Sequence, residues 1–489
     1  MFSKRIFMFC VYGLMAVAMS AKAQLEEVIV VAHPLAEGGL AQAVEVLEGE
    51  ELDEVKAGSL GETLAGTAGV QSSSFGTAVG RPVIHGLGAT RVKTTQDQID
   101  TLDVSVVSGD HAVTTDAFIA DRISVLKGSS TLLYGSGAIG GVVDVDTGRH
   151  ALTVPEEFSG RAEARFSDVD DGTTLAARLD GRLSDNVAWH VDAFSRDGDD
   201  YEIPGFVESA RFIAAEEAEE EEEGHDEHEE EGHDEEEEAR DILEGSRNER
   251  SGGAVSLSFV GDRSHFSVAL SGLTGEYGLV GGHGHHEEGH DEDEEEHHDD
   301  EDEEHHDDEE EHHDEEEEGV GILDMEQTRV DIRAGYQFDG SFIEKVDFLF
   351  GQNDYEHLEI EGNGEAGTEF SNEAWEARFE LHHTPILGFD GLFGLQFNDR
   401  EFSALGEEAF VQPVDSSSQA LFWIGEKDTD FGSIEAGFRF ESTDHEPFGG
   451  STQPDTSFDT FSASFGLISE VSEQLTLSFL IDSSSRAPA

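Results

Sequence analysis

Beyond its N-terminal apolar run, this chain has no thiol. The single cysteine, Cys10, lies inside that run, so its removal would exclude both a disulfide framework and a thiol nucleophile. No stretch of about eighteen uninterrupted apolar residues follows, which excludes a bundle of membrane-spanning helices. A barrel stays open, because each of its strands carries only a weak apolar signal. Positive charge is scarce: 28 Lys and Arg stand against 111 Asp and Glu, a formal net charge of −83. Nucleic-acid partners need basic patches that displace phosphate counterions, so they are excluded, and attraction of cations is the natural consequence. Enzyme motifs are missing too. Gly135 to Gly141 is glycine-rich but lacks the Lys-Ser or Lys-Thr of a phosphate-binding loop. No nucleophile–base arrangement stands out, and an enzyme is not expected.

What is present begins with a leader. Lys4 and Arg5 precede an apolar run from Ile6 to Ala18, and Ala21-Lys22-Ala23 follows before Gln24. This three-part layout predicts a secretory signal peptide over residues 1–23, cleaved after Ala23. A short buried helix is the plainer alternative. From about Leu25 to Gly148 the chain is glycine-rich, with β-type runs at Val28 to Val31 and Val142 to Val145 and a helix expected around Glu62 to Leu64. These features predict a small α+β domain over residues 36–150.

After Pro155 the texture changes to alternating apolar and polar segments, such as Ala162 to Phe166, Val187 to Phe194 and Ala254 to Val260. Period-2 alternation puts one set of side chains on each face, as antiparallel strands with one wet and one apolar side require. Ser184-Asp185-Asn186 and Gly261-Asp262-Arg263 suit hairpin turns between such runs. A soluble β-sandwich would alternate in the same way. The leader, the strand lengths and the alternation of short turns with very long loops favour a membrane barrel over residues 151–489.

Two acidic segments interrupt the strands where external loops are expected. Residues 216–238 contain His225, His228 and His233; residues 283–318 include His283, His285, His286, His290, His297, His298, His305, His306, His312 and His313. Runs of like charge cannot bury enough apolar surface to offset chain entropy, so they are expected to be disordered without a bound cation. Imidazole among carboxylates suits zinc, and equally copper or nickel. A solvated fringe bridged by calcium or magnesium is the blander reading, but hard cations have no need of imidazole.

Three stretches, in this order, resemble the TonB-dependent receptor family. Glu26 to Ala32, directly after the leader, is similar to a TonB box, with Glu27, Val28, Ile29, Val30, Val31 and Ala32 as its core. Such an extended apolar run is suited to adding a strand to a periplasmic partner's sheet edge. Pro82 to Gly88, leading to Arg91-Val92 and Asp97-Gln98-Ile99, resembles the plug segment that usually reads Ile-Arg-Gly, with His85 in place of the arginine. Asp121 to Val143 is the most specific match and departs mainly at Ser129, where the family usually has proline. The resemblance implies a TonB box segment over 24–35, an α+β plug domain, and an antiparallel transmembrane β-barrel normally of 22 strands in the outer membrane. It also implies TonB and outer-membrane lipid as partners. The ending at Ser485 to Ala489 resembles a mid-barrel segment, so the barrel is expected to be C-terminally incomplete.

Two details resemble the zinc-uptake branch of that family: Asp110-His111-Ala112-Val113, similar to its Asp-His ligand pair, and Tyr277 to His285, similar to its His-bearing loop start. The implied function is import of a transition metal ion, zinc first. Asp110 and His111 would form a tight site with barrel or loop residues such as Glu276 or His283, fed by the His- and acid-rich loops. The rivals are a siderophore or haem receptor of the same fold, since fold does not fix cargo, and a surface metal-sequestering or adhesion protein that never transports.

Overall fold

The structure of the chain, a computed structural model, describes residues 41–128, 130–207, 209, 211, 240–280, 320–406, 409, 411–451, 453–472 and 475–488. The leader, the box at Glu27 to Ala32, Ser129, and the candidate ligands His225, His228, His233, His283, His285, His286 and His290 lie outside the described residues.

Short β-type runs build the front domain. They are β1 (Ala43–Glu48), β2 (Val70–Phe75), β3 (Val79–Ile84), β4 (Val92–Gln96), β5 (Ile99–Asp100), β6 (Arg122–Lys127) and β7 (Gly141–Asp146). Five make one sheet in the order β1-β6-β7-β4-β5, in which β4 and β7 run parallel, while β2 and β3 form a separate hairpin. The helices α1 (Gly49–Val55), α2 (Leu60–Leu64) and α3 (Thr131–Tyr134) are short. The Ser59 hydroxyl caps α2 by accepting from the Glu62 N–H at 3.3 Å. This is the helix expected around Glu62, and β7 contains the Val142 to Val145 run. Leu52, Leu64, Ile84, Ile123, Val125 and Val143 close the core. Gly141 has φ +151°, and a Cβ there would run into the Leu126 carbonyl and the Ile84 side chain, so this turn requires glycine.

The second part is a wall of consecutive hairpins. It comprises β8 (Ser159–Phe166), β9 (Thr173–Ser184), β10 (Val187–Asp197), β13 (Asn248–Val260), β14 (Ser264–Gly278), β15 (Ile322–Gln337), β16 (Ile343–Ile360), β17 (Ala366–Ile386), β18 (Phe389–Leu405), β19 (Val414–Thr429), β20 (Gly432–Pro447), β21 (Thr456–Ser472) and β22 (Leu475–Ser483). These thirteen strands form one antiparallel sheet with β8 and β22 at its ends, while β11 (Tyr201–Phe206) and β12 (Arg240–Leu243) pair apart from it. The turns at Ser184 to Asn186 and Gly261 to Arg263 connect β9 to β10 and β13 to β14, as their residues predict. Short turns gather at one end of the wall, and the connections that contain the two acidic segments gather at the other.

The two faces of the wall reverse the usual order of a soluble protein. Val255, Leu257, Phe259, Phe266, Leu270, Leu395, Leu421, Phe440 and Phe461 are exposed on the outer face. Ser256, Ser267, Arg329, Asp331, Asn353, Asn372, Arg378, Arg439 and Glu441 are buried on the inner face. Polar inward and apolar outward is the arrangement of a barrel whose outside meets hydrocarbon.

The inner face holds the front domain through its backbone carbonyls. Arg329 donates to the carbonyls of Asp100 and Thr101 at 2.8 and 3.0 Å, and Asn353 and Asn372 both donate to the Leu102 carbonyl at 2.9 Å. Arg378 donates to the Gln98 carbonyl at 2.8 Å. Arg149 makes a two-pronged bond to Asp192 at 2.8 and 2.9 Å, anchoring the exit from the front domain. Gly351 in the middle of β16 permits a close approach: a Cβ there would lie 2.7 Å from the Ile99 side chain.

Candidate metal centre

Asp110 and His111 lie on the loop between β5 and β6, which other side chains hold in shape. The Asp103 carboxylate accepts from the Ser105 and Thr114 N–H groups, both at 3.0 Å, and from their hydroxyls at 2.6 and 3.0 Å. Arg81 donates to the Ser105 carbonyl and, at 2.7 Å, to the Ser108 carbonyl. From the wall, Arg250 donates to the Val113 carbonyl at 3.0 Å. The Tyr277 hydroxyl donates to the Asp110 carbonyl and accepts from the Ala112 N–H, each at 3.0 Å, bracketing His111. Burial and the charges of Asp110 and Asp103 act on Arg81 in opposite directions; burial prevails and holds its guanidinium below the usual arginine range.

This loop delivers His111 to the long-loop end of β16. His111 Nε2 lies 3.2 Å from Glu359 Oε1 and 3.8 Å from Asp110 Oδ1. Two residues back along β16, hence on the same face, His357 Nε2 lies 3.7 Å from the same Glu359 oxygen. The two imidazole centroids are 4.6 Å apart. One ligand atom from each of His111, His357 and Glu359 falls within 4.8 Å of the others. Asp110 adds a second carboxylate at the margin, and its hydroxyl partner is Ser108.

Each imidazole has its far nitrogen engaged. His111 Nδ1 faces the Val104 carbonyl at 3.2 Å, which can only accept, so this nitrogen carries the hydrogen. That leaves the His111 Nε2 lone pair pointing at a carboxylate, an arrangement that needs a proton or a metal ion between the two. His357 Nδ1 meets the Tyr355 hydroxyl at 3.0 Å, and His357 Nε2 is buried with no hydrogen-bond partner among the described residues. Orienting partners on the outer nitrogens and inner nitrogens that face a shared carboxylate are what a histidine metal site requires.

The surroundings exclude water on one side. Phe370 stacks on His357 at 4.4 Å and meets His111 edge-on at 4.9 Å, while Tyr277, Leu323, Met325, Tyr355 and Phe402 complete an apolar cluster. The imidazoles are fully covered, whereas the side chains of Glu359 and Asp110 keep 11 % and 22 % of their surface exposed. The carboxylates thus form the mouth of the site and the imidazoles its floor.

Of the residues singled out in the sequence, Asp110 and His111 come together here. Glu276 does not: alternation along β14 turns it away from its buried neighbour Tyr277, and it pairs with Arg247. His357 and Glu359 went unrecognised, although a His-x-Glu pair on an alternating strand places two ligands on one face. The usual arginine position holds His85, exposed at φ +51° in a tight turn.

Residues 38–142 match the family model described as the TonB-dependent Receptor Plug Domain. Among solved structures, the fold is similar to the FrpB iron transporter from Neisseria meningitidis (F3-3 variant), with a TM-score of 0.64 and 13% identity over 91% of this chain and 65% of that one. The copper transporter OprC gives a TM-score of 0.64 and 12% identity over 93% and 64%. The alcaligin outer membrane receptor FauA from Bordetella pertussis gives 0.58 and 12% over 89% and 61%. The chain therefore spans slightly less than two thirds of the length of each. The front domain is a plug, and plug and wall together have the fold of TonB-dependent receptors.

Proposed function

We propose that this chain belongs to an outer-membrane importer driven by TonB, and that its cargo is a transition metal ion, zinc first. One observation carries the reading: the ligand set is split, with Asp110 and His111 on the plug and His357 and Glu359 on the wall. A site assembled from two bodies loses half its ligands when one body moves. Tension on the box at Glu27 to Ala32 would enter the plug through β1 and draw His111 away from Glu359. Binding affinity would fall as the path opened, and the energy would come from the partner rather than from this chain.

The acidic segments supply the site in this reading. The stretch that contains residues 283–318 leaves the wall after Gly278 and returns at Ile322, in register with Ile360, one residue beyond Glu359. Its many weak His–carboxylate sites would raise the local cation concentration at the mouth of the tighter one. Copper is the second reading, because Met325 lies opposite His357 on the adjacent strand, is buried, and offers a soft thioether. A siderophore or haem receptor is the rival with the same fold, and growth on each zinc or iron source as sole supply separates the two.

The test is uptake of radioactive zinc by cells lacking other zinc importers. His111→Ala is expected to abolish uptake when zinc is scarce. Ile29→Pro, which spoils strand addition to the periplasmic partner, is expected to abolish uptake while leaving zinc binding intact. Uptake that survives Ile29→Pro would refute energised import, and uptake that survives His111→Ala would refute the split site.

A further inference from the structure

The face of β16 that carries His357 and Glu359 carries a second set of donors at its other end. Asp347 is ten residues before His357, so the two are roughly 33 Å apart along the strand at about 3.3 Å per residue. Directly across from Asp347 on β17 stands Glu380, and His382 follows on the same inner face. One ligand atom from each of Asp347, Glu380 and His382 falls within 4.8 Å of the others. His382 Nε2 is 3.3 Å from Asp347 Oδ2, yet it is buried and makes no hydrogen bond to any described residue.

A fourth donor reaches the cluster through a gap. His265 on β14 and Asp347 on β16 are separated by β15, whose residue at that level is Gly335. A Cβ on Gly335 would collide with the His265 ring and lie 2.7 Å from Asp347 Oδ1. Because that space is empty, His265 Nε2 comes within 3.9 Å of Asp347 Oδ1. Two imidazoles and two carboxylates thus converge at the short-turn end, as they do at the long-loop end.

The charge balance differs. Lys345 Nζ lies 2.9 Å from Asp347 Oδ2, and Arg378 Nε lies 3.2 Å from Glu380 Oε1. The lysine side chain is 38% exposed and can swing into solvent when a divalent ion arrives. Its return would then compete with that ion for Asp347. Between the two clusters, plug residues 97–102 are held against the wall by Arg329, Asn353 and Arg378.

We propose that Asp347, Glu380, His382 and His265 form a second divalent-cation site, which receives the ion on the periplasmic side once the plug has moved and gives it up as Lys345 returns. This inference rests on the import reading above. The test is zinc-edge anomalous diffraction from crystals of the full-length receptor grown with zinc, together with zinc uptake by cells. Density is expected at both clusters. His382→Ala should remove the lower density, lowering affinity there at least about tenfold, and should slow uptake. Gly335→Leu, whose side chain would crowd both His265 and Asp347, should weaken the lower density. His357→Ala should remove the upper density alone. An empty lower cluster beside a filled upper one, a lower density unchanged by His382→Ala, or uptake unaffected by that variant would each overturn this inference and leave the import reading standing. An empty upper cluster would overturn the import reading instead.

Discussion

The two donor clusters on β16 contain similar ligands in different company. At the long-loop end, His111, His357 and Glu359 stand with Asp110, and among the described residues no lysine or arginine lies within ion-pairing distance of Glu359. At the short-turn end, Lys345 and Arg378 already compensate Asp347 and Glu380. The upper cluster is shared between plug and wall, whereas the lower one belongs to the wall alone. An uncompensated, shared site favours capture and can be broken by motion. A compensated site on one rigid body favours brief occupancy. The shared ligand chemistry therefore leaves charge balance and ownership to decide what each cluster does.

The largest effect should come from dismantling the uncompensated cluster. His357→Ala removes an imidazole whose outer nitrogen is already oriented by Tyr355, and the protein should lose at least about a hundredfold in zinc affinity. Glu359→Gln should act similarly, because it removes the charge that both imidazoles face. Competition with a chromophoric chelator, on protein with residues 283–318 deleted to remove weak sites, checks this. Affinity unchanged by either substitution would break the comparison at its stronger end.

Much of this architecture was legible in the sequence, because period-2 alternation and glycine turns are local signals. Val187 to Phe194 and Ala254 to Val260 alternate over enough residues to fix both strand and face, and the Asp121 to Val143 stretch identifies the plug. Asp110 and His111 were legible only through resemblance. Their wall partners were not, because pairing them requires knowing which inner-facing position of which strand meets a plug loop more than two hundred residues away in sequence. Glu276, expected as a partner of Asp110 and His111, stands beside the buried Tyr277, but on a strand adjacent residues face opposite sides. The role of Gly335 was likewise invisible, since its meaning lies in two side chains on neighbouring strands.

A smaller effect is expected at the compensated cluster. Lys345→Met removes the resident cation from Asp347 while keeping the length of the side chain, so the lower cluster should hold zinc several-fold more tightly, in line with the loss of one partly exposed ion pair. Release should slow correspondingly. Zinc retention after rapid dilution, measured in wild type and Lys345→Met, checks the direction. Weaker retention in the variant would show that the lysine orients Asp347 rather than competes for it.

The smallest effect tests ownership, by changing the plug alone. Asp144 on β7 is buried beside β4, and burial, with help from the charges of Asp146 and Asp97, pushes its pKa up to about 6. Hydrogen bonds from the Thr95 hydroxyl and the Gln98 N–H to its Oδ1, both 2.7 Å, oppose the shift without cancelling it. The folded plug therefore holds this proton more tightly than the unfolded chain does. Below the unfolded value of 3.8 both states are protonated and there is no penalty. As pH rises toward about 6 the folded state loses ground, and above that the full cost is present. Asp144→Asn keeps an oxygen that accepts both hydrogen bonds and removes the charge. It should stabilise the plug by about 3 kcal/mol at pH 7 and by nothing below about pH 4. Hydrogen exchange of the β4 and β7 amides across that range reads the difference. A firmer plug should also retain zinc longer at the shared cluster and leave the wall-only cluster unaffected. A stabilisation that stayed constant with pH would refute the buried-charge account, and an equal change at both clusters would refute the division of ligands between plug and wall.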